Sequence, residues 1–125
     1  MSKIFLLSGS IIAGLGVAIG AFGAHALKAI LEANSRLETF ETGVKYQFYH
    51  ALALILLGLI MQKFDDRMFT WAGYSFIAGI VIFSGSLYIL SLSGIGKWGA
   101  VTPIGGLALI LGWFFLIVGL LKTVN

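Results

Sequence analysis

The chain has 125 residues, 59% of them hydrophobic and 10% charged, with a formal net charge of +3. An ordinary soluble domain carries roughly 25% charged residues, and no water-soluble fold of this size hides so much apolar surface behind so few charges. Cysteine is absent, which excludes disulfides, thiol catalysis and cysteine metal sites; the small, scattered positive charge excludes a nucleic-acid surface and suits anchors at anionic lipid headgroups.

Four stretches contain no Asp, Glu, Lys or Arg: Ile4 to Leu27, Tyr46 to Gln62, Met68 to Gly96 and Trp98 to Leu121, together 94 of the 125 residues. A hydrocarbon core of about 30 Å is crossed by about 20 helical residues, so each stretch is long enough to span a bilayer once. Lipid offers the backbone no hydrogen bonds, which leaves helices or a closed barrel. A barrel needs alternating apolar and polar residues. Ile104 to Leu121 is apolar on every face, so the fold class is an all-α membrane protein. The expected domain is a single four-helix transmembrane unit over residues 1–125, with spans at about 4–26, 46–62, 68–92 and 98–121.

Met1-Ser2-Lys3, an apolar run and Ala24-His25-Ala26 imitate a signal peptide with its cleavage site. The run is longer than such a segment and carries glycines at packing intervals, so it reads as the first span. Its helix is expected to continue through Glu32, with Asn34 and Ser35 interrupting it. Ser35-Arg36-Leu37-Glu38 has the form of a capping box. Leu37, Phe40 and Val44 then form one apolar stripe, and Glu41 and Lys45 an i, i+4 ion pair, so a short amphipathic stretch leads into the second span. Lys63 to Arg67 and Ser93 to Lys97 are short turns, which makes neighbouring helices antiparallel: an up-down-up-down bundle.

Small residues recur every seven positions in each span: Gly9, Gly16 and Gly23; Ala51 and Gly58; Ala72, Gly79 and Ser86; Gly105, Gly112 and Gly119. Such seams let helix backbones approach where no hydrophobic force operates. Gly16, Gly20, Gly23, Gly58, Gly79, Gly105 and Gly112 are the expected packing glycines. Gly16 and Gly20 also form a GxxxG pair that suits a dimer face; internal packing is the preferred reading.

Antiparallel topology puts His25, Gln47, His50, Ser84, Ser86, Tyr88 and Thr102 in one half of the membrane. Ionisable residues in spans are costly and face the bundle interior or a cavity. His50, five residues into the second uncharged stretch, is about 7 Å deep on that reckoning. Its functional readings are a proton switch, a ligand to metal or haem, or a donor to a lipid or small molecule. Its structural reading is a neutral histidine that, with His25, hydrogen-bonds within the bundle. Around Gly85, the Ser84 and Ser86 hydroxyls can bend the third span. Thr102-Pro103 reads as the N-cap and first turn of the fourth helix, pointing free amides at an anionic group or simply starting the helix.

Gly20-Ala21-Phe22-Gly23-Ala24-His25-Ala26-Leu27, Phe40-Glu41-Thr42 with Tyr46-Gln47-Phe48-Tyr49-His50-Ala51-Leu52-Ala53, Phe83-Ser84-Gly85-Ser86-Leu87-Tyr88 and Thr102-Pro103-Ile104-Gly105-Gly106 resemble the family called domain of unknown function 423, whose animal relatives are described as transmembrane protein 256. The resemblance covers nearly the whole chain. It implies a multi-pass integral membrane protein, bacterial in its compact form and resident in the plasma (inner) membrane. It carries over no activity and no catalytic residue.

Three functions compete. A structural or accessory protein packs with membrane lipids, a second copy or a membrane-protein partner, and holds its histidines satisfied. A binding or transport protein takes a small molecule, lipid or ion into the polar half around His25 and His50. An intramembrane enzyme has only His50 as a general base, with no mid-membrane carboxylate and no serine–histidine pairing. The first is preferred, with no catalytic residue, no resident metal and no cofactor. Lys3, Lys63, Arg67 and Lys122 balance Lys28, Arg36, Lys45 and Lys97, so charge assigns no orientation.

Overall fold

A computed structural model describes the backbone of residues 1–125 and every side chain but that of Ala24. The first span is α1 (Ser2–Val17) continued by a π-helical segment, Ala18–Gly23. Two short helices follow, α2 (Ala24–Ala26) and α3 (Lys28–Ala33). The second span is α4 (Leu37–Met61) and the third α5 (Arg67–Ser93). A 3₁₀ turn, Gly96–Ala100, leads into α6 (Thr102–Thr123), which has Pro103 in its first turn. Four helical segments are long and apolar enough to cross a membrane. Each span packs along its length on its neighbours in sequence: α1 on α4, α4 on α5, α5 on α6.

The outer surface is as apolar as the interior. Ile11, Leu56, Val81, Leu107, Ile110 and Leu121 are all at least 60% exposed, an arrangement that only lipid solvates well. The core is Phe5, Leu54, Leu57, Phe69, Ala72, Phe76, Ile80, Leu109 and Leu116 with their neighbours.

Glycine seams set the helix spacing. Along α5 and α6, Phe69 lies over Gly119, Phe76 over Gly112 and Phe83 over Gly105. A Cβ on Gly119 or Gly112 would come within 2.6 or 2.5 Å of the facing ring, and on Gly105 it would strike the Phe83 backbone. Phenylalanine and glycine thus alternate in antiparallel heptads, rings on one helix filling notches on the other. Along α1 and α4, Gly16 receives the Phe48 ring, Gly20 the Val44 side chain and Gly23 the Phe40 ring, while Gly58 receives Leu6. Gly79 receives Leu109, and Gly73 receives the Phe5 ring from α1. Gly16 and Gly20 therefore each pack against α4 within the chain. Gly85, between Ser84 and Ser86, meets nothing within 4 Å.

Local expectations at the connections are corrected. Ser35 does not cap α4: α4 has no side-chain cap. Ser35 instead adopts φ +54° and closes α3. Its N–H donates to the Glu32 carbonyl at 3.0 Å, and the Arg36 N–H to the Leu31 carbonyl at 2.8 Å. This is the paired reverse-bond pattern of a Schellman stop, usually made by glycine. Asn34 then reaches across and donates to the Ser91 and Leu92 carbonyls at 3.0 and 3.2 Å, capping the end of α5. Glu41 and Lys45 do not close an ion pair; among the described residues the ion pairs are Lys28–Glu32 and Lys122–Asp66. Thr102 does not act as an N-cap, since its hydroxyl turns to Ser86 and to the Trp98 carbonyl.

Candidate functional site

The α4 helix begins at Leu37, nine residues before its uncharged stretch, because Glu38, Glu41 and Lys45 tolerate an exposed helical surface at the membrane boundary. His50 therefore lies about 20 Å along α4 from Leu37 at 1.5 Å per residue, five residues into the uncharged stretch. It meets Phe76 in α5 and Trp113 in α6, with ring centroids 5.6 and 5.8 Å away. The histidine is 5% exposed.

Both of its ring nitrogens are engaged. Nδ1 is 2.8 Å from the Tyr46 carbonyl, which can only accept, so Nδ1 carries the proton. Nε2 accepts from Trp113 Nε1–H at 3.0 Å. The ring is held as the neutral Nδ1–H tautomer by one acceptor and one donor. A proton added at Nε2 would meet another N–H rather than a lone pair.

Gln47, one turn earlier, joins three spans. Its Nε2 donates to the Ile12 carbonyl of α1 at 2.9 Å, and its Oε1 accepts from the Tyr88 hydroxyl of α5 at 2.5 Å. Tyr88 in turn lies over Gly43, the α4 position that leaves room for its ring. Ser84 donates to the Gly43 carbonyl at 2.7 Å. Ser86 and Thr102 share a hydrogen bond of 2.6 Å between α5 and α6. Among the described residues no buried side-chain nitrogen or oxygen lacks a partner, as the high cost of unpaired polar groups in hydrocarbon requires.

Of the seven polar residues singled out in the sequence, the fold brings Gln47 to Tyr88 and Ser86 to Thr102. Ser84 and His50 bind backbone carbonyls on α4. His25 stays apart: it is exposed, on the single turn of α2, and enters none of these hydrogen bonds. The two histidines do not come together, His25 lying on α2 and His50 well along α4, and among the described residues no three His, Cys, Asp or Glu side chains gather as a metal site. Sequence reasoning passed over Trp113 and saw in Asn34 only a helix interruption, not its bonds to α5. Trp113 had a signal, an indole N–H within an apolar span that needs an acceptor. Asn34 had none, because its partners lie some sixty positions away.

A lipid-facing groove of about 380 Å³ runs beside His50, lined by Tyr46, Phe83, Gly106, Leu109, Ile110 and Trp113. It is aromatic and aliphatic, with the His50–Trp113 pair in its lining.

Four apolar spans, an apolar exterior and polar groups paired inward define a multi-pass integral membrane protein. The chain belongs to the family described as Protein of unknown function (DUF423), which matches residues 19–106. It is 44% identical to UPF0382 membrane protein YwdK of Bacillus subtilis (strain 168), over 96% of this chain and 98% of that one. To UPF0382 membrane protein SH2409 of Staphylococcus haemolyticus it is 43% identical, over 98% and 99%. To UPF0382 inner membrane protein YgdD of Escherichia coli (strain K12) it is 38% identical, over 97% and 92%. No solved structure matches. The membrane residence expected from the sequence agrees with these relatives, one of which is named for the inner membrane.

Proposed function

We propose that the chain is a small structural or accessory membrane protein, which packs with lipid or with a partner membrane protein and carries out no chemistry of its own. The observation that supports this reading is the saturation of His50, whose two ring nitrogens are both used within the chain. A general base or a metal ligand keeps a lone pair available, and His50 has none to spare. The experiment is purification of wild type and His50→Ala in native-lipid nanodiscs, with mass spectrometry of what accompanies each. The accessory role predicts a lower melting temperature for His50→Ala and an unchanged set of bound molecules. Selective loss of a small molecule or ion at an unchanged melting temperature would overturn it.

A second reading rests on the groove beside His50. There a small apolar molecule would lie against Tyr46, Phe83 and Trp113, and the protein would be a carrier or receptor. It predicts that Ile110→Trp, which fills the groove from an exposed position, displaces a ligand without loosening the core.

A further inference from the structure

On the opposite side of α4 lies a second crevice, of about 190 Å³, between the first span and α4. It is lined by Gly20, Phe40, Glu41, Val44 and Lys45. Three observations meet there. Gly20 belongs to the π-helical segment Ala18–Gly23, and such wide turns inside helices are frequently found at functional sites. The base is apolar, with Phe40 and Val44 packed under Gly23 and Gly20. The rim carries one anion and one cation, Glu41 and Lys45, in the i, i+4 order that favours an ion pair on an isolated helix. Among the described residues, neither takes part in any ion pair.

An unclosed pair of opposite charges, about 6 Å apart along one helix, is complementary to a ligand that carries both signs itself. Its position selects the ligand class. Lys45 and Glu41 immediately precede the uncharged stretch of α4, and Gly20 lies in the first span, so the crevice has an apolar floor and a charged rim at the headgroup level. We propose that it binds a zwitterionic aminophospholipid, the phosphate on Lys45, the primary ammonium on Glu41 and an acyl chain over Gly20 and Val44. Lysine supplies the point charge suited to a phosphate, and its stem lies along apolar surface while the ammonium stays at the interface. The paired charges cancel, which removes the advantage an anionic lipid would have at a purely basic site. This site is independent of His50 and of the groove beside it.

The test is native mass spectrometry of the full chain in detergent with equal amounts of phosphatidylethanolamine and phosphatidylglycerol. The expected result is retention of phosphatidylethanolamine by about tenfold over phosphatidylglycerol, the size of one charge-assisted contact. Phosphatidylcholine, whose quaternary ammonium has no N–H to give Glu41, is retained less than phosphatidylethanolamine. Glu41→Gln and Lys45→Gln each abolish the preference at unchanged melting temperature, since both side chains are exposed. Equal or greater retention of phosphatidylglycerol by wild type overturns the proposal, whatever the variants do. So does an undiminished preference in either variant.

Discussion

Trp113 Nε1 donates to His50 Nε2 at 3.0 Å, joining α6 to α4, two helices that are not neighbours in sequence. The contact specifies the imidazole's tautomer as well as its position, because the Tyr46 carbonyl takes the Nδ1 proton on the far side of the ring. Imidazole ¹⁵N spectra of the protein in detergent should show a protonated Nδ1 and an unprotonated Nε2 through the neutral pH range. Trp113→Phe keeps the aromatic bulk but leaves Nε2 unpaired, and should cost about 1 kcal/mol, the scale of interhelical hydrogen bonds in bilayers. A Trp113→Phe variant with unchanged stability and an Nε2–H tautomer would contradict the assignment.

Substitution at glycines should separate by what each one faces. Gly105→Ala has no solution, because the methyl would strike the Phe83 backbone; an overpacking cost of about 3 kcal/mol is expected. Gly112→Ala meets the edge of the Phe76 ring, which can shift, and should cost less. Gly14→Ala enters open space and should be neutral or gain about 0.5 kcal/mol from the stiffer unfolded chain. Thermal or denaturant unfolding of the three in one detergent gives the order; Gly14→Ala ranking worst would refute the seam.

The α3–α4 connection yields an opposed pair. Ser35 holds φ +54° without a glycine's freedom, so Ser35→Gly should stabilise by about 1 kcal/mol. Asn34→Ala loses both bonds to the end of α5 and should destabilise by about 1–2 kcal/mol. Unfolding curves of the two variants should shift in opposite directions.

Asp66 gives the acid limb of stability. The Met68 N–H, then the Lys122 ammonium at 3.0 Å, hold its carboxyl below the ordinary aspartate value of 3.8. A folded value below the unfolded one means that the stabilisation is complete above about pH 3.8 and is lost as pH falls through the lower folded value. Asp66→Asn retains a capping oxygen but has no proton to gain. Its melting temperature should therefore fall less than that of wild type as pH drops from 5 to 3.

Composition made the spans legible because a bilayer turns apolar length directly into helix. The heptad glycines were legible for a related reason: close approach leaves a small-residue trace. Their partners carry the same period, Phe69, Phe76 and Phe83, yet read as ordinary core until Gly105, Gly112 and Gly119 are set against them. The amphipathic start of α4 was legible in the charges and the apolar stripe ahead of Tyr46, and the helix begins there, at Leu37. Ser35 to Glu38 is ambiguous in principle, since the residues that begin one helix also end another. The separation of His25 from His50 follows from the turns between Ala24 and Ala33, where no local pattern announces the path.

The ring-in-notch contacts between α5 and α6 also act as a vernier. Sliding either helix by four residues, about one turn, would set rings against Leu109 and Leu116 instead of Gly105 and Gly112. The next equivalent alignment is a whole heptad away, about 10 Å along the axis. A residue gained or lost in the Gly94 to Val101 connection leaves the alignment untouched. The same change between Gly105 and Gly112 would throw one end of the hairpin out of mesh with the other, so length variation in this protein should collect in its turns.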